Sequence, residues 1–305
     1  MFKRLAVPVA ATMIAAGIAV PQAVASEKCS IEVVSGTLNW GIKQSWRSYI
    51  QGPIAGGKWD IDGAVTEGGN GDKKGQGFKF LFEVDPAKTI INYDKGGSGI
   101  VDAKIFTKPS SVKFTGHHGG LSSTIKSPYL SQKGMDSQIG AGYEAYFVEG
   151  KSMGSYTEAD IQEKNKVSGD SETDFFAEGK SSDWSFSGDK LSISAPRLTY
   201  KRQVGTVPGN AKGIDRVFMG QYGPDYHPEM DGYTVELTVK NNCGIKDGRV
   251  PDAGKPDSPK DLSLGNFPKI WSIVLGVAGL VATVAVLFQV AMKSGVLRNL
   301  PFMNV

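Results

Sequence analysis

Phe78-Lys79-Phe80-Leu81-Phe82-Glu83-Val84 sets an apolar side chain at every second position. Successive strand side chains point to opposite faces, so Phe78, Phe80, Phe82 and Val84 share one face, and that face must be buried. The same period recurs in both directions along the chain. Ile31, Val33 and Ser35 alternate with Glu32 and Val34. Val112 goes with Phe114, Leu121 with Ile125, and Tyr143 with Ala145 and Phe147. Trp184 and Phe186, then Leu191 and Ile193, flank Gly188-Asp189 as the arms of a hairpin do. Tyr233, Val235, Leu237 and Val239 form a last row before Cys243. This pattern predicts an all-β fold, an antiparallel β-sandwich or open barrel with one or two short helices.

Composition agrees. The chain of 305 residues holds 39 Gly, well above the usual ~7%, with 14 Phe and 10 Tyr. Its 34 Lys and Arg against 31 Asp and Glu leave a net charge of +3. That balance argues against a nucleic-acid binder, which needs a dense basic footprint. Two Cys exclude a thiolate zinc cluster, and three His (His117, His118, His227) leave little for a multi-histidine centre. No Gly-x-Ser-x-Gly elbow, phosphate loop or Ser-His-Asp order is present.

The two ends are addresses. Residues 1–25 carry Lys3 and Arg4, an apolar run and Ala23-Val24-Ala25, the pattern of a cleaved secretory signal. The run 270–292 has no charge and, at ~1.5 Å rise per residue, is long enough for a ~30 Å hydrocarbon core. It predicts one transmembrane helix, with residues 293–305 as a cytoplasmic tail. Between them, residues 26–243 form an exported domain. Residues 244–269, rich in Pro, Asp, Lys and Gly, read as a solvated tether. The expected location is therefore the cell membrane, single-pass, with the folded domain outside. There Cys29 and Cys243, at the two edges of that domain, are expected to pair.

One segment breaks the period of two. In Trp40-Gly-Ile-Lys-Gln-Ser-Trp-Arg-Ser-Tyr-Ile-Gln-Gly-Pro53, Ile42, Trp46, Tyr49 and Ile50 recur at helical spacing. Asn39 is placed to cap that helix and Gly52-Pro53 to end it. Ser45, four before Tyr49, shares its face. Gly68 to Gln76 and Met153 to Thr173 read as polar surface insertions.

Three places carry candidate chemistry. Tyr49 is either a core tyrosine with a hydrogen-bonded hydroxyl or a phenolate ligand of ferric haem. His117-His118, between glycines after Phe114, is either a solvated turn or a pair held close to something. If strand parity is unbroken, His118 lies with Val112 and Phe114 and His117 faces the other way; a bulge at Gly116 reverses this. The stretch Arg216 to Asp231, with its aromatics, Met and Gly-Pro turns, is either a loop over the sheet edge or the wall of a flat apolar pocket. A surface adhesin or carbohydrate-binding sandwich, its aromatics stacking on sugars, fits the same composition.

Two of these motifs are specific. Trp40-Gly-Ile-Lys-Gln-Ser-Trp-Arg-Ser-Tyr-Ile and Val112-Lys-Phe-Thr-Gly-His-His-Gly-Gly-Leu-Ser-Ser-Thr-Ile-Lys-Ser-Pro resemble the signature region of the HtaA family. Those are haem-binding surface proteins of a haem-uptake system. The layout of signal, one such region, tether and C-terminal span resembles the family's single-region, membrane-anchored form. The resemblance implies ferric haem b bound by Tyr49 as axial ligand, with His117 hydrogen-bonded to the Tyr49 oxygen. It implies Ser45 at a haem propionate and, through a looser match at Gly220-Gln221-Tyr222, Tyr222 at the propionates or pocket. It also implies other haem-uptake surface proteins and a haem ABC-transporter receptor as partners, and no enzymatic turnover. Arg47, on the same helix, is a second candidate for easing the loss of the Tyr49 proton.

Overall fold

The alternating rows become strands of a single antiparallel sheet. The computed structural model describes residues 28–96, 99–170, 175–203, 211–220 and 227–251. In chain order the strands are β1 (Lys28–Ser30), β2 (Glu32–Trp40), β3 (Lys58–Gly63), β4 (Val65–Gly69), β5 (Phe78–Glu83), β6 (Ile90–Asp94), β7 (Gly99–Phe106) and β8 (Ser110–Gly116). They continue as β9 (Leu121–Lys133), β10 (Asp136–Tyr146), β11 (Lys166–Gly169), β12 (Phe175–Lys180), β13 (Trp184–Ser187), β14 (Lys190–Tyr200), β15 (Glu229–Lys240) and β16 (Gly248–Val250). The α-helix among the described residues is α1 (Gln44–Ile50), and short 3-10 turns supply the remaining helical backbone.

The order across the sheet is β1-β6-β7-β9-β10-β12-β14-β15-β2-β5-β4. Beside this path, β8 joins β9 to β3, β11 pairs with β10, and β13 joins β14 to β16. Because every strand hydrogen-bonds into one sheet, the architecture is an open half-barrel, and of the two expected forms the sandwich is not the one found. Right-handed twist curls so long a sheet until one face closes on itself as a core.

That face is aromatic. Phe78, Phe80 and Phe82 of β5 are all buried, and Phe80 lies opposite Trp40 of β2 in the register. Trp40 packs 5.8 Å from Phe176, and its Nε1 donates to the Asp231 carbonyl at 3.0 Å. A ring such as Phe80 contributes roughly 2–3 kcal/mol by leaving water. The hairpin at Gly188-Asp189 forms as its sequence predicts, with Phe186 opposite Leu191.

Cys29 and Cys243 are joined, with Cα atoms 6.0 Å apart, tying β1 to the chain just past β15. The folded part does not stop at Cys243, however. Ile245 and Val250 are buried, and β16 adds to β13, with Val250 opposite Trp184. The first residues of the expected tether thus belong to the sheet, because Ile245 and Val250 supply apolar side chains that the Pro- and Gly-rich composition masks. The expected signal, the rest of the tether, the span at 270–292 and the tail lie outside the described residues. Among the described residues no helix is long and apolar enough to cross a membrane.

Both supposed insertions are also part of the fold. Lys73 and Gly75, between β4 and β5, offer their carbonyls to Arg47. In the stretch from Met153, Met153 and Tyr156 are buried, and β11 pairs with β10. Polar composition concealed these anchors, which are made by backbone carbonyls and by two isolated apolar residues.

Candidate functional site

The helix that carries Tyr49 is shorter than its sequence period suggests. Trp40 and Asn39 belong to β2, and Ile42 takes a left-handed backbone (φ 67°) that separates strand from helix. Lys43 occupies the N-cap position without a side-chain cap. The cap comes from β15 instead: Asp231 Oδ1 accepts the Gln44 amide at 2.6 Å. Asn39 is therefore not the cap, and its Oδ1 is buried with no hydrogen-bond partner among the described residues.

Arg47, fully buried, locks the helix down. Its guanidinium donates to the carbonyls of Gly41, Lys73 (3.1 Å) and Gly75 (2.7 Å), and pairs with Asp231 Oδ2 at 2.5 Å. All these donors are spent on the side of the helix away from Tyr49. A residue two positions along a helix points to a different face, so Arg47 holds the helix and does not act on the Tyr49 phenol.

Tyr49 is half-buried and rests on an aromatic floor. Its ring stacks on Trp46 with centroids 5.4 Å apart and planes 26° apart. Trp46 in turn meets Phe114 at 6.0 Å and Phe218 at 5.5 Å, both edge-on. Burial pushes the Tyr49 phenol above its ordinary value, so the free protein holds it neutral at physiological pH.

The structure brings Tyr49 and His117 together. The Tyr49 hydroxyl and His117 Nε2 form a short hydrogen bond. Strand parity fails here because β8 ends at Gly116 and a 3-10 turn begins at His117. His117 and His118 both adopt left-handed backbone, with φ of 50° and 51°. Such conformations cost a non-glycine residue roughly 1–2 kcal/mol each, so the turn needs support. The His117 amide donates to the Ala55 carbonyl at 2.7 Å. On the other side, Gly120 lies so close to the segment after Met153 that a Cβ there would stand 2.1 Å from the Tyr156 carbonyl oxygen. The turn thus aims His117 at Tyr49 and leaves His118 exposed.

A third group was not singled out by sequence. Met219 Sδ lies 3.7 Å from the Tyr49 hydroxyl. One hydroxyl proton cannot serve both neighbours. If it goes to His117, the thioether is a contact only; if it goes to Met219, His117 must donate its own N–H. Met219 lies in the Arg216 to Asp231 stretch, but nothing in the sequence gives the aim of its side chain.

Ser45 is exposed and lines a polar hollow with Lys43, Gln76, Lys79 and Glu229. It does not touch the Tyr49–His117 pair in any described contact. Tyr222 lies outside the described residues. His227 is exposed near the Tyr200 carbonyl (3.4 Å) and takes no part in the pair. Among the described residues no group of three or more His, Cys, Asp or Glu could hold a metal ion.

A half-barrel whose short α-helix presents a phenol to an imidazole over an aromatic floor defines an all-β module with a half-buried phenol–imidazole pair. The chain belongs to the HtaA family: the family model, described as Htaa, matches residues 35–206. Three solved structures from Corynebacterium glutamicum are similar. The C-terminal domain of HtaA is 20% identical, with TM-score 0.45, over 69% of this chain and 99% of that one. The N-terminal domain of HtaA is 21% identical, with TM-score 0.46, over 68% and 98%. The third, heme binding protein HtaB, is 17% identical, with TM-score 0.47, over 70% and 98%. A comparison with curated proteins returns no match.

Proposed function

We propose that this chain binds ferric haem b at the cell surface through the Tyr49 phenolate and passes it on in haem uptake. The observation that carries this reading is the hydrogen bond between the Tyr49 hydroxyl and His117 Nε2. A phenol held neutral by burial is a poor ligand until it loses its proton. An imidazole already bonded to that oxygen accepts or shares the proton at the moment of binding. The donor set also fits the ligand: a single half-buried oxygen can serve an iron that brings its other ligands with it, whereas a bare cation would need more ligands. Haem supplies the iron, and a hard phenolate oxygen favours its ferric state.

Membership in the HtaA family supports the ligand, since the resemblance of the two motifs implies haem. Delivery requires no bond cleavage, so the chain acts as a carrier rather than an enzyme. Its partners in this reading are other haem-uptake surface proteins and the receptor of a haem ABC transporter. The expected signal at 1–25 and the expected span at 270–292 support a location in the cell membrane with the half-barrel outside.

The test is a haemin titration of the full-length chain in detergent, followed by visible spectrum, beside Tyr49→Phe. This variant keeps the ring on Trp46 and removes only the oxygen. The wild type should develop a sharp Soret band and a charge-transfer band that the variant lacks. An unperturbed haemin spectrum with the wild type, or identical spectra for both chains, would overturn the reading.

A further inference from the structure

β9 changes partner partway along its length. Its first part pairs with β8, as Lys126 does with Ser111, and its second part pairs with β7, from Tyr129 opposite Phe106 onward. Between the two parts Ser127 takes a left-handed backbone (φ 40°), and on the other side of β9 the register with β10 slips between Gly140 and Gly142. The sheet therefore forks, and a cavity of about 590 Å³ opens at the fork. That volume lies within the roughly 300–1,000 Å³ of small-molecule sites. Ser110 lines it from the opposite end of β8 to the His117 turn, roughly 20 Å away at ~3.3 Å per residue.

One wall of this cavity is aromatic and faces outward. Ile105 and Leu130 are buried in the core, so their neighbours Phe106 and Tyr129 point to the other face of the sheet. There the two rings stack, with centroids 5.7 Å apart and planes 23° apart. Gly140 makes room for this arrangement, since a Cβ there would stand 2.4 Å from the Tyr129 ring. Phe106 stays partly exposed. The rest of the lining is polar, and its charges cancel: Lys88 and Lys126 stand against Asp62 and Asp170. Lys126 is also drawn to Glu144 at 3.3 Å. The buried Ser110 hydroxyl has no hydrogen-bond partner among the described residues, a costly state unless something polar reaches it.

We propose that this fork binds a neutral pyranose ring, with the C–H face of the sugar on Phe106 and its hydroxyls on the polar wall. A lining whose charges cancel does not select an ion. A ligand with an apolar face and a rim of hydroxyls matches both walls at once, because a ring buries apolar surface and a carboxylate such as Asp62 accepts two hydroxyls side by side. The proposal is independent of the haem reading and gives the far end of β8 a ligand of a different class. The larger hollow across β9, β10 and β12 is less suited to a sugar. Aromatic side chains are absent from its described lining, Asp136 is paired with Lys180, Glu178 is held by Lys201 at 3.1 Å, and the Ser137 hydroxyl is spent on Tyr233. Two sources offer a pyranose ring, a free sugar and a residue of a polysaccharide, and the experiment separates them.

The probes are the methyl glycosides of glucose, galactose and mannose and a linear tetrasaccharide of each. They are titrated into the full-length chain, held in a detergent without a sugar headgroup, and followed by saturation-transfer NMR and calorimetry. At least one glycoside should bind, with its ring C–H protons saturated most strongly. Phe106→Ala should weaken that binding roughly tenfold or more, through the apolar contact it removes. Asp62→Asn, at an exposed position where folding is not at stake, should weaken it several-fold, and it decides the matter if the alanine variant does not fold. Tighter binding of a tetrasaccharide than of its methyl glycoside identifies a polysaccharide as the source, and equal binding a free sugar. A wild type that binds none of the six probes overturns the proposal. So does glycoside binding that Asp62→Asn and a folded Phe106→Ala both leave unchanged, since the sugar then sits elsewhere.

Discussion

Arg47 and Asp231 meet at 2.5 Å in an ion pair that fastens α1 to β15 on the side of the helix away from Tyr49. Asp231 performs two tasks at once, since its other oxygen caps the helix at the Gln44 amide. A seven-residue helix is too short to persist alone, so tertiary anchors of this kind hold the phenol in place.

Asp231→Ala should therefore be among the most damaging single substitutions. It strands a fully buried guanidinium and removes the cap together, at a cost of about 3–5 kcal/mol. Urea unfolding should show a midpoint lowered to match, with the change in slope small. Arg47→Ala should cost a similar amount and leave three loop carbonyls, those of Gly41, Lys73 and Gly75, without their donor. A loss under about 1 kcal/mol for either variant would mean that the pair behaves as an exposed one.

The Cys29–Cys243 bridge closes a loop of 214 residues. In the chain-entropy view so long a loop contributes on the order of 5 kcal/mol by restricting the unfolded chain. Cys29→Ser with Cys243→Ser should lower the unfolding midpoint strongly. Mass spectrometry of the unreduced wild type should find no alkylatable thiol. Two modified cysteines without reduction would refute the pairing.

The rows of β5, β9 and β15 were legible because a period of two is written locally: Phe78, Phe80 and Phe82 need no partner to declare a buried face. The face of α1 was legible for the same reason at Trp46, Tyr49 and Ile50. Its start was not, because the cap is supplied by Asp231, 187 residues away from Gln44, whereas Asn39 only resembles one. Parity across Gly116 misplaced the histidines because it assumes a continuous strand. The left-handed backbone of His117 and His118 is sustained by contacts with Ala55 and Tyr156 that no local pattern announces. Pairing of Tyr49 with His117 came from the resemblance of two motifs, and the contact of Met219 with the Tyr49 hydroxyl came from the structure alone.

Tyr233 gives the fold an alkaline limit. Its hydroxyl is buried against Ser137 Oγ at 2.7 Å, and burial pushes its pKa up to about 12. An unfolded tyrosine titrates near ~10. Between these values the unfolded chain has released its proton while the folded chain still holds it, so stability falls as pH rises. The slope approaches about 1.4 kcal/mol per pH unit, and the stability is intact below the unfolded value. Tyr233→Phe should flatten this limb in unfolding midpoints measured from pH 9 to pH 12. It should also cost about 1 kcal/mol at neutral pH for the lost hydrogen bond. An unchanged alkaline limb would place the loss elsewhere.

The two adjacent histidines should separate cleanly in haem binding. Only His117 reaches the Tyr49 oxygen, while His118 is exposed on a turn whose strain it shares. His118→Ala should leave haemin affinity within about twofold, since an exposed side chain away from a site rarely matters by more than ~0.5 kcal/mol. His117→Ala should weaken binding roughly ten- to a hundredfold, the usual cost of losing a group that orients a metal ligand. The two chains should also differ in protons. Burial holds the Tyr49 phenol neutral in the free protein, so binding as phenolate must send its proton somewhere. With His117 present the hydrogen bond lets the imidazole share that proton, so haem uptake should release less than one proton to solvent. In His117→Ala the proton has only water to go to, so one proton leaves per haem. Affinity should then rise about tenfold per pH unit below the phenol's titration. Calorimetry in two buffers of different ionisation enthalpy counts those protons directly. Equal counts in both chains would remove His117 from the proton's path and leave iron alone to ionise Tyr49.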